Sequence, residues 1–147
     1  MFKKILCAVD GSDNARRAAE VAAQLASKFG AKLTLLTVAK KLEVTEQVKR
    51  FMELEHISGE PQYVLDEMTE KILDEAKDAA RAAGVPELKT EVKTGHPART
   101  ITQFADRINA DCIVVGSRGM GDTEGFFLGS VSHKISSLAK CTVITVR

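Results

Sequence analysis

Hydrophobic positions along this chain alternate between unbroken runs and helical spacing. Ile5 to Val9 is a continuous apolar run closed by Asp10-Gly11-Ser12. From Asn14 to Phe29 the apolar residues Ala18, Val21, Ala22, Leu25 and Phe29 recur at helical spacing, which predicts an alanine-rich helix. Ser12 or Asp13 can cap its start, and Gly30 follows its end. Leu33 to Val38 is a second apolar strand. An insertion over residues 40–61 comes next, in which Val44, Val48, Phe51 and Met52 predict a short amphipathic helix broken from His56 to Pro61. Val64, Met68, Ile72, Ala76, Ala79 and Ala83 mark a further helix ending at Gly84 and Pro86. Leu88 to Thr94 alternates apolar and charged positions as a half-exposed strand does. The helix after Pro97 carries Ile101, Phe104, Ala105 and Ile108. Cys112 to Val115 predicts a fourth strand, Gly129 to Leu138 a helix, and Thr142 to Val146 the last strand.

Strands that alternate with helices predict a parallel sheet with right-handed crossovers. Strands buried on both faces read as continuous apolar runs, whereas exposed edges alternate. The first, second and fourth strands are of the buried kind and the third is an edge. The expected fold is therefore α/β: an open, doubly wound, five-stranded parallel sheet of order 3-2-1-4-5 with helices on both faces. Residues 1–147 are expected to form a single domain, a length at which a core suffices without disulfide or metal staples. The final strand, Thr142-Val143-Ile144-Thr145-Val146, has no internal Pro or Lys to blunt its edge. Pairing with the same strand of a second copy would cover it, so a homodimer through the C-terminal strand is expected.

Composition narrows the partners. With 21 basic and 20 acidic residues the net charge is +1, which argues against nucleic acid or an anionic membrane as the main partner. Trp is absent and Tyr occurs once, so no aromatic platform for stacking bases is expected. Lys3-Lys4 ahead of Ile5 to Val9 mimics a signal peptide, but the run stops at Asp10, too early for a hydrophobic region of that kind. No stretch approaches the ~18 consecutive apolar residues of a membrane span. A cytoplasmic protein is the expectation. Cys7, Cys112 and Cys141 show neither CxxC nor metal-type spacing, and read as buried, reduced thiols.

Ligands of such a sheet bind beyond the carboxyl ends of the strands where the order reverses, here between the first and fourth strands. The loops that follow are Asp10-Gly11-Ser12-Asp13 and Gly116-Ser117-Arg118-Gly119, the second continuing to Gly129-Ser130-Val131 at a helix start. Gly116 lets a ligand approach the backbone, and Gly119 permits a positive φ and a tight turn that aims N–H groups inward. Gly129 and Ser130 open a helix whose first N–H groups and dipole favour an anion. The Ser130 hydroxyl either donates to a phosphate oxygen or caps the helix. Amides from the two glycine-bearing turns are expected to converge on one anionic group.

The spacing Gly116-x2-Gly119-x9-Gly129-Ser130 resembles the G-x2-G-x9-G-(S/T) motif of nucleotide-binding universal stress proteins. The resemblance extends over Ile5 to Ser12, Gly95 to Ala98, Asp111 to Gly119 and Gly129 to Val146. It implies adenine against Ala8, Val9 and Val38. It also implies Asp10 facing the adenosine, with Val115 to Gly119 (Val115, Gly116, Ser117, Arg118, Gly119) and Gly129 to Val131 on ribose and phosphates. Carboxylate oxygens suit ribose hydroxyls; a turn role for Asp10 is the alternative. Asp122 and Glu124 depart from the neutral or basic residues common in the family. Beside a triphosphate they either point to solvent or hold a divalent ion such as Mg²⁺. Arg118 can reach a phosphate. Relatives commonly dimerise through the last strand.

A phosphate loop of the G-x4-G-K-[ST] kind and a G-x-S-x-G elbow are both absent. His56, His96 and His133 have no carboxylate orienter identifiable in sequence. The expected function is binding of ATP, ADP or AMP, with slow or no hydrolysis, in a nucleotide-responsive stress regulator. A nucleotide-independent dimeric interaction module and a weak ATPase are the alternatives.

Overall fold

The computed structural model describes residues 1–39, 45–56, 61–120 and 128–147. The elements in chain order are β1 (Lys4–Ala8), α1 (Asp13–Phe29), β2 (Lys32–Ala39), α2 (Glu46–Leu54), α3 (Pro61–Ala82), β3 (Glu87–Thr94), α4 (Pro97–Ile108), β4 (Cys112–Gly116), α5 (Ser130–Leu138) and β5 (Thr142–Val146). All four pairings are parallel and the strand order is β3-β2-β1-β4-β5, as the alternation of patterns predicts. Ile5 lies opposite both Leu33 and Cys112, so β1 is the centre of the sheet.

Two apolar layers hold the helices to the sheet. On one face Ile5, Cys7, Val9, Leu33, Leu35, Cys112 and Val114 meet α1 and α3. On the other, Leu6, Leu36, Ile113 and Val115 meet Ile101, Phe104 and Ala105 of α4 and Ile135 of α5. Successive strand residues face opposite layers, which is why these runs are apolar without interruption.

α1 starts where Ser12, in extended conformation, accepts the Ala15 N–H on its Oγ, and ends at Gly30 in the left-handed region (φ 63°). Its buried face differs from the expected one. Ala15, Ala18, Ala19, Ala22, Ala23 and Ala26 are buried, while Val21 and Leu25 are only half-buried and Phe29 is exposed against Phe2. Methyl side chains let α1 lie close to both the sheet and α3, so the small residues turn inward and the larger ones flank them.

The expected break separates α2, which ends at Leu54, from α3, whose first residue is Pro61; proline suits a first turn because its missing N–H would lack an intrahelical partner anyway. Met68, expected on the buried face of α3, is 54% exposed. α2 forms where the spacing predicts it, capped by Thr45 Oγ1 on the Val48 N–H, yet none of its residues is buried. Val44 lies outside the described residues.

Cys7 and Cys112 are buried, and burial pushes both thiols up to about 12. Cys141 departs from the expected burial: it is half-buried, with its thiol also raised by desolvation. At the far edge, Val143, Ile144, Thr145 and Val146 of β5 are each partly exposed. Among the described residues no helix is long and apolar enough to cross a membrane.

Candidate functional site

Parallel strands deliver both loops to the same end of the sheet. The first loop begins one residue past β1, where the Val9 N–H still donates to the Leu36 carbonyl at 2.9 Å. Asp10 Oδ1 then accepts the Ser12 N–H at 2.9 Å, the side-chain-to-backbone turn typical of aspartate. Gly11 adopts φ 84° between them, a conformation that a side chain would strain.

The second loop is anchored more heavily than its sequence implies. At Gly116 an added Cβ would lie 2.8 Å from Ala15 N and Asn14 C and 2.9 Å from Asn14 Cβ. The room expected for a ligand there is thus occupied by the first turn of α1, and the glycine serves helix–strand packing. Ser117 is buried and fully engaged. Its N–H donates to Val146 O at 2.7 Å, and its Oγ accepts from Asn14 Nδ2 at 3.2 Å. Its carbonyl accepts from both the Gly129 N–H and Ser132 Oγ, each at 2.6 Å. Ser117 therefore ties β4 to α1, α5 and β5 rather than presenting its hydroxyl to a ligand.

Gly119 does not take the expected positive φ; among the described residues the glycines that do are Gly11, Gly30, Gly84 and Gly95. The turn that needs such freedom at this end of the sheet is the first loop. Met120, immediately after, donates its N–H to Asp10 Oδ2 at 3.3 Å. One carboxylate thus holds both loops, through residues 110 positions apart.

At α5 the N-cap is Gly129, and its carbonyl accepts the His133 N–H at 3.0 Å. Because the Gly129 N–H is spent on Ser117, the amides at this end are those of Ser130, Val131 and Ser132, the first three helical residues. They have no intrahelical acceptor, and none is found for them among the described residues. Ser130 is exposed and is not the cap, so its hydroxyl stays accessible. Among the described residues, the amides that gather at this end are those of the α5 start.

Ala8, Val38, Val115 and Val131 all belong to the α4/α5 layer and form an apolar floor at the carboxyl end of that face. Val9 does not join them. It lies in the α1/α3 layer, so only its main chain remains on the crevice side. Arg118 is half-buried in the second loop. His96 caps α4 without a side-chain hydrogen bond, and His96 and His133 are both exposed. No group of three or more His, Cys, Asp or Glu able to hold a metal occurs among the described residues. Asp122 and Glu124 lie outside them. Across the sheet, a cavity of about 20 Å³ between Val9, Gly11, Ala15 and Ile72 has room for roughly one water, not a nucleotide.

Sequence reasoning missed Asn14, Met120 and Ser132. Asn14 and Ser132 sit in first turns of helices, where a polar residue is unremarkable. The donor from Met120 is main chain and leaves no mark in a sequence.

Comparison with known proteins places this architecture. The family model described as "Universal stress protein family" matches residues 1–147. A protein of Bacillus subtilis (strain 168) named universal stress protein YxiE is 38% identical over 154 residues, covering all of both chains. Among solved structures, the universal stress protein UspA from Lactobacillus plantarum superposes with a TM-score of 0.72 at 30% identity, covering 99% of this chain and 98% of that one. A universal stress protein crystallised in complex with cAMP gives 0.70 at 28% identity, over 99% and 97% of the two chains.

Proposed function

This chain belongs to the universal stress protein family, and we propose that it is a nucleotide-binding member, a single domain of residues 1–147 taking ATP, ADP or AMP at the carboxyl end of β1 and β4. The observation that carries this reading is the cluster of Ser130, Val131 and Ser132 amides at the start of α5, without an acceptor among the described residues, beside an apolar floor of Ala8, Val38, Val115 and Val131. Three N–H groups at the positive end of a helix suit an anion, and the floor suits a flat base. In this reading the phosphates lie on the amides and the Ser130 hydroxyl, with the Arg118 guanidinium within the same loop. Asp10 takes the ribose, and adenine rests on Ala8 and Val38. The cAMP-bound relative supports an adenine nucleotide as the ligand class. Gly116, Ser117, Gly119 and Gly129 act by holding the loop, and Val9 by its main chain.

The reading extends to a cytoplasmic, nucleotide-responsive stress regulator with slow or no hydrolysis. Asp122 and Glu124, the carboxylates expected to point to solvent or to hold a Mg²⁺ beside the phosphates, lie outside the described residues. Melting the protein with ATP, ADP and AMP tests the binding. A ligand at 100 times its Kd adds about 2.7 kcal/mol, which at this size raises Tm by roughly 5–10 °C. Absence of any shift with all three at millimolar concentration would overturn the proposal.

We also propose a homodimer through β5, whose outer edge lies open beside partly exposed Val143, Ile144 and Val146. Sedimentation at micromolar concentration is expected to give twice the 15.9 kDa chain mass. A species of one chain mass throughout would contradict it.

A further inference from the structure

We infer that the outer edge of β3 is a second self-association surface, at which the strand pairs antiparallel with β3 of another copy about a two-fold axis at Thr90. The inference stands apart from the nucleotide reading and from the β5 dimer, because β3 and β5 are opposite edges of the sheet. All eight residues of β3 pair with β2 on one side. No described strand covers the other side, which leaves a row of main-chain donors and acceptors of the same length. No residue of the strand is fully buried, and Val92 is 46% exposed.

The order of side chains selects the occupant. Glu87, Lys89, Glu91 and Lys93 share the face of α4, where Lys93 Nζ lies 5.6 Å from the centre of the Phe104 ring. Leu88, Thr90, Val92 and Thr94 share the other face, on which Leu88 packs against the α1/α3 layer. A two-fold axis through Thr90, perpendicular to the sheet, keeps each face continuous from one copy to the next. It sets Glu87 opposite Lys93, Lys89 opposite Glu91, Leu88 opposite Val92 and Thr90 opposite itself. Every charge then meets its opposite, and a leucine covers the exposed valine. Sliding the partner two residues one way would oppose Lys89 to Lys93 and Glu91 to itself. Sliding it two residues the other way would oppose Lys89 to itself and Glu87 to Glu91. A slide of one residue would put charged positions against the apolar face. The alternating charges thus repel the neighbouring registers and admit this one. Within the chain Glu91 meets Lys93 at 3.6 Å and Glu87 meets Lys32 at 2.8 Å. A carboxylate has acceptor positions left for a second cation. Antiparallel pairing points the carboxyl ends of the two sheets in opposite directions, so both candidate nucleotide sites stay open.

Eight residues a side make a small interface, so association is expected at concentrations on the order of 0.1–1 mM. Sedimentation equilibrium of the full chain over that range should show a mass above that of the micromolar species. Lys89→Glu and Glu91→Lys each set like charges opposite one another twice, and each should weaken this association about tenfold or more. Mixed in equal amounts, the two variants should recover it, because every contact between unlike copies again opposes Glu to Lys. No rise in mass for the wild type, no weakening in either variant, or no recovery in the mixture would overturn the inference. Cross-linking gives a second readout in a Cys141→Ser background, which removes the half-buried native thiol. Thr90→Cys should form a disulfide between copies under mild oxidation, since directly opposed residues of an antiparallel pair lie about 4.5–5.5 Å apart. Thr94→Cys, which would face residue 86 of the other copy, should not. Equal cross-linking of the two, or none from Thr90→Cys at about 1 mM chain, would contradict the pairing.

Discussion

Gly116→Ala lowers the melting temperature by roughly 3–10 °C, the span that corresponds to an overpacking cost of about 1–3 kcal/mol in a chain of this size. The added methyl would sit 2.8 Å from two main-chain atoms of the first turn of α1, Asn14 C and Ala15 N. Backbone cannot swing aside as the end of a flexible side chain can, so either β4 or the start of α1 must move. Both movements reach the candidate site. Ser117 follows Gly116 directly, and its Oγ accepts from Asn14 Nδ2. The variant should therefore lose nucleotide affinity along with stability. Gly30→Ala provides a contrast, because its Cβ would meet nothing within 4 Å and its cost comes only from the left-handed backbone (φ 63°). Thermal unfolding of the two variants side by side separates crowding from backbone strain. A Gly116→Ala melt within a degree of the wild type would show that the strand end and the helix are not in tight contact.

Ile135→Ala is expected to destabilise the fold by about 2–5 kcal/mol, the range for truncating a buried isoleucine. Ile135 is fully buried in the layer it shares with Leu6, Leu36, Ile113 and Phe104, and it is the buried apolar side chain of α5. Its position couples core packing to the site. α5 is nine residues long, too short to persist alone in water, so its contacts with the sheet keep the Ser130, Val131 and Ser132 amides in place. Ile135→Val should cost about 0.5–1.5 kcal/mol. Lys134→Ala, one residue away and exposed, should lie within about 0.5 kcal/mol of the wild type. Urea denaturation with an unchanged m-value is the measurement. A midpoint for Ile135→Ala equal to that of Lys134→Ala would contradict the account of what holds α5.

These two positions illustrate different degrees of legibility. Ile135 sits in a predicted helix, and its apolar character already marks it as a candidate for the core. Gly116 was conspicuous in sequence for the opposite of its structural role. A glycine at a strand end signals close approach, but the pattern does not say what approaches. The structure supplies α1. The alanine-rich stretch of α1 carried a similar ambiguity. Larger residues at helical spacing looked like the buried stripe, whereas close packing between α1, α3 and the sheet rewards the smaller side chains.

Periodicity and breakers were sufficient for the elements and their order, because burial on one or both faces imposes a repeat that each strand and helix must obey locally. The same reasoning led to the right strand order, since only β3 alternates and a central parallel strand cannot. The partners of polar groups were another matter. Asp10 with Met120, Ser117 with Asn14, Gly129 and Ser132, and the layer to which Val9 belongs all depend on which segments come within about 3 Å of each other. Hydrogen bonds act over a distance shorter than one residue, between groups up to 110 positions apart, and only the assembled sheet brings them into reach.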